Sequence, residues 1–237
     1  MKKTAKTISI LMAAGFMVSL GGLAHAGLFD VDFGSDNDGL GGFSTVGNRN
    51  GNWRTQTNSI NFTQSGSGRS FREAQLWTEL SGTDALDTSA GSSYTFTGVI
   101  DLGAYSGLQS ASNFGIQLFS TSGNVSNTGI TLFMYPTRPT MAIYPSGSGS
   151  WESGHSTNAR WNGERLGRFT FKGKISFTDT HADVSFALTD SGGHSQTIST
   201  SIPLTSINLG ERFRIGARIR DNNHSFIMDV ESFTAHP

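Results

Sequence analysis

Apolar side chains recur at every second position along most of this chain. The clearest run covers residues 168–177, where Phe169, Phe171, Ile175 and Phe177 alternate with polar residues. A period of two places apolar side chains on one face of a strand and polar side chains on the other, as in an antiparallel strand with one face in water. The same alternation returns in five further segments, around residues 94–100, 114–118, 130–134, 184–188 and 213–219.

The segments between these runs indicate how the strands are arranged. Clusters rich in Gly, Ser and Asp separate the runs, and 30 glycines make the chain turn-rich, while Phe, Ile, Leu and Val keep recurring between the turns. No segment after residue 26 shows the 3.6-residue period of a helix, and no internal repeat or linker divides it. The sequence therefore predicts one all-β domain over residues 27–237, an antiparallel β-sandwich of jelly-roll type with about a dozen strands.

The last two strands can be read in more detail. Asn222-Asn223 suits a two-residue turn, because Asn tolerates positive φ. That turn predicts a hairpin in which Ile215 faces Val230 on the apolar side and Arg214 faces Glu231 on the polar side. Four arginines would then form a polar stripe with Asp229 and Glu231 as partners: Arg212, Arg214, Arg218 and Arg220.

The first residues have the layout of a secretory signal peptide. Lys2, Lys3 and Lys6 precede an apolar run over residues 8–20, and Ala24-His25-Ala26 offers a small-residue cleavage site. The alternative, a membrane anchor, needs ~20 apolar residues, more than this run contains. We therefore expect residues 1–26 to be removed and the protein to be exported, to the periplasm or outside the cell, with no membrane attachment after cleavage.

Cysteine content and charge narrow the classes of partner. The chain has no cysteine, so an exported sandwich must be stabilised by its own core. The net charge is −1, and Lys172 and Lys174 are the lysines that follow residue 26. Nucleic acid is not an expected partner, because no basic patch is present to neutralise phosphates.

These strand patterns resemble the concanavalin A-like lectin/glucanase superfamily, in particular the laminin-G-like jelly rolls of bacterial secreted proteins. The resemblance rests on residues 94–101, 114–120 and 129–135 and on the closing segment 212–234, in which residues 226–233 are similar to the last strand of the family. It implies a curved sheet whose concave face or rim loops bind glycans. It does not imply catalysis, because lectins, hydrolases, lyases and structural modules share this fold.

Two segments contain candidate glycan-binding residues. On the strand predicted at 70–80, Glu73, Gln75 and Trp77 share one face, where a sugar ring could stack on the indole while its hydroxyls bond to the polar groups. The alternative is that Trp77 packs in the core or against a loop. A long polar loop is predicted at 145–166, and its candidate residues would either flank a glycan or hold the loop onto the sandwich: Trp151, His155, Arg160 and Trp161.

Catalytic and metal-binding candidates are fewer. Asp229 and Glu231 lie two positions apart on one strand, about 7 Å, which is within the range that a glycosidase needs. The family's glucanases carry Glu-x-Asp-x-Glu, but here Ile227 replaces the leading carboxylate, and pairing with arginine is the alternative role. Asp36 and Asp38 would suit a structural calcium ion or a simple turn, and no other cofactor is expected.

The sequence thus favours a module that binds polysaccharide. It does not decide whether the protein is an enzyme, but a protein without catalytic activity is favoured. A polysaccharide-degrading hydrolase or lyase on the same fold is one alternative. A cell-surface or matrix structural protein is the other.

Overall fold

Fifteen strands and one 3-10 turn form within the residues that the structure describes. The computed structural model describes residues 28–33, 43–47, 51–56, 59–64, 71–80, 87–103, 113–120, 129–146, 156–220 and 226–237. The strands are β1 (Phe29–Asp32), β2 (Ser44–Gly47), β3 (Gly51–Gln56), β4 (Ser59–Gln64), β5 (Phe71–Glu79), β6 (Ser93–Leu102), β7 (Asn113–Ser120), β8 (Gly129–Tyr135), β9 (Thr140–Ser146), β10 (Thr157–Arg160), β11 (Gly167–Phe177), β12 (His181–Asp190), β13 (Ser195–Pro203), β14 (Arg212–Arg220) and β15 (Phe226–His236), and the turn covers Leu204–Ser206.

The strands form two antiparallel sheets. The major sheet has eight strands in the order β13-β12-β11-β6-β15-β4-β3, with β1 also paired to β15. The minor sheet has seven strands in the order β10-β9-β8-β7-β14-β5-β2. Several neighbours are far apart in sequence, such as β6 with β15 and β5 with β14. The prediction of an all-β sandwich of two packed sheets is confirmed.

The apolar faces of the two sheets meet in a core rich in phenylalanine. Phe96 of the major sheet stacks on Phe213 of the minor sheet with ring centroids 5.5 Å apart, and both side chains are fully buried. Phe171 and Phe114 make a similar contact edge to face at 5.5 Å. Such aromatic pairs add ~0.5–1.5 kcal/mol each to the stabilisation from burial, so they help hold the two sheets together.

The predicted terminal hairpin is wrong. β14 lies in the minor sheet between β7 and β5, whereas β15 lies in the major sheet beside β6. Ile215 and Val230 are both fully buried, but they enter the core from opposite sheets. Alternation specifies which side of a strand is apolar, and two apolar sides can be buried either side by side in one sheet or face to face across a sandwich. The predicted pairing of Arg214 with Glu231 fails for the same reason.

The predicted loop at 145–166 is also shorter than expected. β9 continues to Ser146, and β10 adds a further strand that pairs with β9, with Thr157 opposite Ile143. Residues 147–155 lie outside the described part of the chain. This extra strand gives the minor sheet a seventh member at the edge beyond β9.

The predicted signal peptide, residues 1–26, lies outside the described residues, as do Asn222 and Asn223. Within the described ranges, no helix is long and apolar enough to cross a membrane.

Candidate functional site

The side chains of the minor sheet that point away from the core form rows across its strands. We call this surface the minor-sheet face. Its central row follows the register of five strand pairs: Ser44, Trp77, Arg214, Gln117, Thr131 and Tyr144. The next row, in the same strand order from β5 onward, is Gln75, Gly216, Gly115, Phe133 and Ala142. The residues between these rows, such as Leu76 and Ile215, belong to the core.

Three polar side chains in the centre of this face are buried although they point away from the core. The exposed fractions are 6% for Gln75, 3% for Gln117 and 1% for Arg214. Arg214 donates a hydrogen bond from Nη1 to Oε1 of Gln75 at 3.2 Å. A buried guanidinium is costly unless it is hydrogen-bonded, and the bond to Gln75 offsets part of that cost. The centre of the face therefore presents a guanidinium and two amides in a set arrangement.

Two glycines lie beside this polar group. Gly216 pairs with Gly115 in the middle of the sheet, one row from Arg214 and Gln117. A Cβ atom added to Gly115 would collide with the carbonyl oxygen of Leu132, so β7 and β8 approach closely here. Gly216 is buried and Gly115 is partly exposed, and neither contributes a side chain to the row beside Gln75.

Trp77 marks one end of the central row. Its ring is partly exposed, and the guanidinium carbon of Arg212 lies 4.6 Å from the ring centroid. Arg212 in turn donates from Nε to Oε2 of Glu79 at 2.8 Å. A cation over an indole face stabilises the ring position, and the salt bridge holds the cation. The alternative in which Trp77 packs in the core does not apply, because Trp77 lies on the outer face.

Aromatic rings occupy the other end of the face. Phe133 stacks on Tyr144 with centroids 5.1 Å apart and an interplanar angle of 18°, and it meets Tyr135 edge to face at 4.8 Å. Phe133 is buried, whereas both tyrosines are partly exposed. A ligand lying across the strands would pass from an indole over amides and a guanidinium to tyrosines.

The structure places the predicted residues of the 70–80 strand together on this face. Gln75 and Trp77 alternate with core residues as expected, and Glu73 pairs in register with Arg218 in the adjoining row. The side chain of Glu73 lies outside what the structure describes. The sequence did not predict Gln117, Arg214 and Tyr144 as candidate binding residues. A sequence signal does exist for the aromatic part, since Phe133 occupies a position where the alternation calls for a polar residue.

The predicted residues of the 145–166 segment do not form a cluster with that strand. Arg160 is exposed at the end of β10 and pairs with Thr140, five strand spacings from β5, or ~24 Å. Trp161 is 1% exposed and packs in the core, where its Nε1 donates to the carbonyl of Glu164 at 2.6 Å. Trp161 is therefore not placed to stack on a glycan, and of the two predicted roles it has the one that holds the segment to the sandwich. Trp151 and His155 lie outside the described residues.

The candidate carboxylates lie on the opposite side of the molecule. Asp229 and Glu231 belong to β15 in the major sheet. Arg168 donates from Nε to both oxygens of Glu231, at 2.9 and 2.8 Å, and Ser59 donates to Asp229 at 3.4 Å. Glu231 is thus paired with arginine, as the structural alternative predicted, but the partner is Arg168 and not Arg214.

A third carboxylate joins this pair. Asp101 of β6 lies opposite Asp229 in the register. Burial raises the pKa of Asp101, and the negative charges of Asp229 and Glu231 raise it further, while Arg168 acts in the opposite direction. Within the described ranges no three carboxylate or histidine side chains are arranged to hold a metal ion. The calcium candidates Asp36 and Asp38 lie outside those ranges.

Comparison with solved structures identifies the fold. Lectin II from Ulex europaeus superimposes with a TM-score of 0.52 at 12% identity, covering 89% of this chain and 99% of the lectin. The alginate lyase from Klebsiella pneumoniae gives 0.50 at 12% identity, covering 88% and 94%. The chain has the fold of the concanavalin A-like lectin/glucanase superfamily. A lectin named UEA-II in complex with galactose gives 0.50 at 13% identity, covering 89% and 99%. No protein-family model and no curated protein sequence matches the chain. At these identities the likeness establishes the concanavalin A-like fold and leaves activity to the site itself.

Proposed function

We propose that this protein is an exported carbohydrate-binding module that recognises polysaccharide through the minor-sheet face. One observation carries the proposal: the buried guanidinium and amides of Arg214, Gln75 and Gln117 lie on the outer face of the sheet, between Trp77 at one end and Tyr144 at the other. Sites for small polar ligands combine a few fixed polar groups with aromatic walls, and this face does so.

The chemistry of these groups suits a sugar. An amide offers both donors and acceptors, and a guanidinium offers several donors in one plane, so a ligand that displaces the cover over these groups, which are 6% exposed or less, can bond to them through its hydroxyls. The apolar face of the ring can stack on an indole or phenol. Because Arg214 and the two glutamines are already buried, little side-chain freedom is lost when a ligand binds.

The length of the row favours a polymer. From Trp77 on β5 to Tyr144 on β9 the central row crosses four strand spacings, ~19 Å. Several sugar units fit along that distance. The face therefore suits an internal segment of a polysaccharide better than a single sugar.

The described residues favour binding without cleavage. A glycosidase needs two carboxylates that share the bond to be broken. The candidate pair Asp229 and Glu231 lies on the major sheet, on the other side of the core from Gln75, and Glu231 is bound to Arg168. The folds shared with a galactose-bound lectin and an alginate lyase support a glycan as the ligand class. The signal-like leader supports export to the periplasm or beyond.

The test is retention of the protein on a panel of immobilised neutral and acidic polysaccharides, with Trp77→Ala as the site variant. Loss of one stacking ring is expected to weaken binding roughly tenfold. Leu166→Ala is the matched control, because Leu166 is an exposed apolar side chain, 39% accessible, away from the site. Circular dichroism should show the same sandwich for all three proteins.

Four results would contradict the proposal. The wild-type protein could fail to bind any member of the panel, or Trp77→Ala could bind as tightly as wild type. Release of reducing ends or of unsaturated products from the panel would replace the binding module with an enzyme. Self-association that no sugar competes away would favour the structural-protein alternative.

A further inference from the structure

A second groove lies on the opposite side of the molecule, on the outer face of the major sheet. It is an open, shallow groove of about 500 Å³ that crosses three neighbouring strands at the β13 edge of the sheet. Cavities of roughly 300–1,000 Å³ are typical of small-molecule sites. The side chains that line it and point outward form two rows in register: Lys174, Ser185 and Ser199, then Ser176, Asp183 and Ser201.

The composition of this groove is unlike that of the minor-sheet face. Its outward-pointing side chains carry four hydroxyls, one ammonium and one carboxylate, and none of its lining residues is aromatic. Cross-strand neighbours lie ~5 Å apart and positions two along a strand ~7 Å apart, so the six groups cover about the footprint of one sugar ring. The groove therefore suits one residue of a hydroxylated ligand and not an extended chain.

The two charges of the groove do not neutralise each other. Lys174 lies opposite Ser185, so Asp183 is its diagonal neighbour across the strand pair, at ~7–8 Å. Among the described residues, neither Lys174 nor Asp183 forms a salt bridge or a side-chain hydrogen bond. Both side chains are exposed. Lys174 is available to a negatively charged ligand group, and Asp183 is available to a hydrogen-bond donor.

The lysines indicate the sign of the ligand. Lys172 and Lys174, which are the lysines after residue 26, alternate on the same face of β11, and Lys172 lies one row beyond the groove. The chain as a whole carries a net charge of −1, and Lys172 adds a positive charge beside a groove in which the charges of Lys174 and Asp183 balance. An ammonium beside serine hydroxyls is a donor set for a carboxylate or sulfate group, while Asp183 can accept hydrogen bonds from ring hydroxyls.

We propose that this groove is a second saccharide site, which binds one anionic sugar residue through Lys174, Asp183 and the serine rows. The acidic group lies against the ammonium of Lys174, and hydroxyls of the same ring bond to Asp183 and to Ser185 between them. Because the two sheets lie back to back, this site and the minor-sheet face point in opposite directions. A single domain could then hold two polysaccharide chains. That consequence rests on the proposed function, but binding of an anionic sugar in the groove does not depend on it.

The experiment is a titration of the ¹⁵N-labelled protein followed by two-dimensional NMR. Sodium glucuronate and galactose 6-sulfate are the probes, glucose is the neutral comparison, and sodium acetate and sodium sulfate are the ion comparisons. We expect glucuronate or the sulfated sugar to shift the amides of residues 183–185 and 199–201 saturably. Lys174→Ala should raise Kd about tenfold, as expected for loss of a charged hydrogen bond.

Matched variants separate the groove from its surroundings. Ser185→Leu on β12 fills the middle of the groove and should abolish the shifts, whereas Thr197→Leu places the same side chain on the neighbouring edge strand β13, outside the lining, and should not. Lys172→Ala removes the same charge as Lys174→Ala from a position outside the groove, and its effect should be small. Repeating the titration in Trp77→Ala tests the groove independently, since its shifts should persist whether or not the minor-sheet face binds glycan.

Several results would overturn the inference. Shifts that acetate or sulfate ions produce as strongly as the acidic sugars would show an adventitious ion only. Shifts with glucose of equal strength would remove the requirement for an anionic group. No saturable shift with either acidic sugar, or equal loss of binding in Lys172→Ala and Lys174→Ala, would remove the site.

Discussion

Gly98 lies at a close contact between the two sheets, and Gly98→Ala tests the packing there. Gly98 belongs to β6 and pairs with Phe171 and Phe233. A Cβ atom at this position would lie 2.6 Å from Cδ1 of Ile215 and 3.1 Å from Cγ2 of Ile116, which enter from the minor sheet. The alanine can be accommodated only if the isoleucine side chains move.

The magnitude follows from two opposing terms. Inserting a methyl group into a packed core costs about 1–3 kcal/mol. Removing the backbone freedom of glycine from the unfolded chain returns about 0.5–1 kcal/mol. The variant should therefore lose roughly 0.5–2 kcal/mol of unfolding free energy, and each 1 kcal/mol lowers Tm by about 2–4 °C in a chain of this size.

A double-mutant cycle identifies the atom responsible. Ile215→Val deletes Cδ1, the atom closest to the new methyl group, and alone should cost about 0.5–1.5 kcal/mol. In the double variant the methyl group fills the space that Cδ1 leaves, so the loss should be about 1 kcal/mol smaller than the sum of the single losses. Urea denaturation followed by circular dichroism measures all four proteins.

Gly173→Ala supplies the control cycle. The nearest atom to a Cβ at Gly173 is Cδ1 of Leu132, at 2.5 Å, and no atom of Ile215 is among the three nearest. Gly173→Ala and Ile215→Val should therefore be additive. If the Gly98 and Ile215 changes are also additive, or if Gly98→Ala is stabilising, then the contact across the core does not decide the cost and the reasoning is refuted.

Three further predictions concern single positions elsewhere in the fold. Asp190 is 6% exposed and accepts hydrogen bonds from the backbone N–H groups of Glu164 and His194, each at 2.8 Å. Asp190→Ala should therefore lower the free energy of unfolding by roughly 2 kcal/mol or more in urea denaturation. A loss below about 0.5 kcal/mol would contradict this role. Gly163→Ala would place a methyl group against the carboxylate of Asp190 and should lower the free energy of unfolding by about 1–3 kcal/mol. An unchanged melting temperature would argue against that close contact. Burial is the largest cause of the raised pKa of Asp101, so the ionised carboxylate is disfavoured in the folded state. The stability of the protein therefore falls as pH rises from the pKa of Asp101 in the unfolded chain to its higher pKa in the folded protein. Asp101→Asn should therefore raise Tm at pH 7, by an amount that shrinks as pH falls toward 3, and the opposite pH trend in thermal melts would contradict this sign.

The period of two predicted the strands and their buried faces well. Phe169, Phe171 and Ile175 alternate with polar residues in the sequence and are all fully buried on β11. The partner of each strand could not be predicted in the same way. β14 and β15 are neighbours in sequence with matching alternation, yet they lie in different sheets, because burial of two apolar faces does not require the strands to be hydrogen-bonded.

The candidate site shows the same division. Gln75 and Trp77 could be placed on one face from their spacing on a single strand. Gln117 and Arg214 join them only because β7 and β5 flank β14, and that register spans more than 130 residues of sequence. The burial of Trp161 also depends on a contact from another strand, since Asp190 accepts the backbone N–H of Glu164, 26 residues earlier in the chain.

Departures from ordinary strand chemistry are concentrated on the minor-sheet face. Arg214 is buried at a position that usually faces water, and Gly115 and Gly216 interrupt the centre of a sheet. Phe119, two residues after Gln117, has a φ of 60°, which is rare for an aromatic residue and marks local strain. On the outer face of the major sheet, the strands at the β13 edge have ordinary residues such as serine, threonine and lysine, and the departure described elsewhere on that face is the carboxylate cluster of Asp101, Asp229 and Glu231. Features that cost stability persist where function requires them, so their accumulation around β7 and β14 is the physical reason to look for ligand binding on this face first.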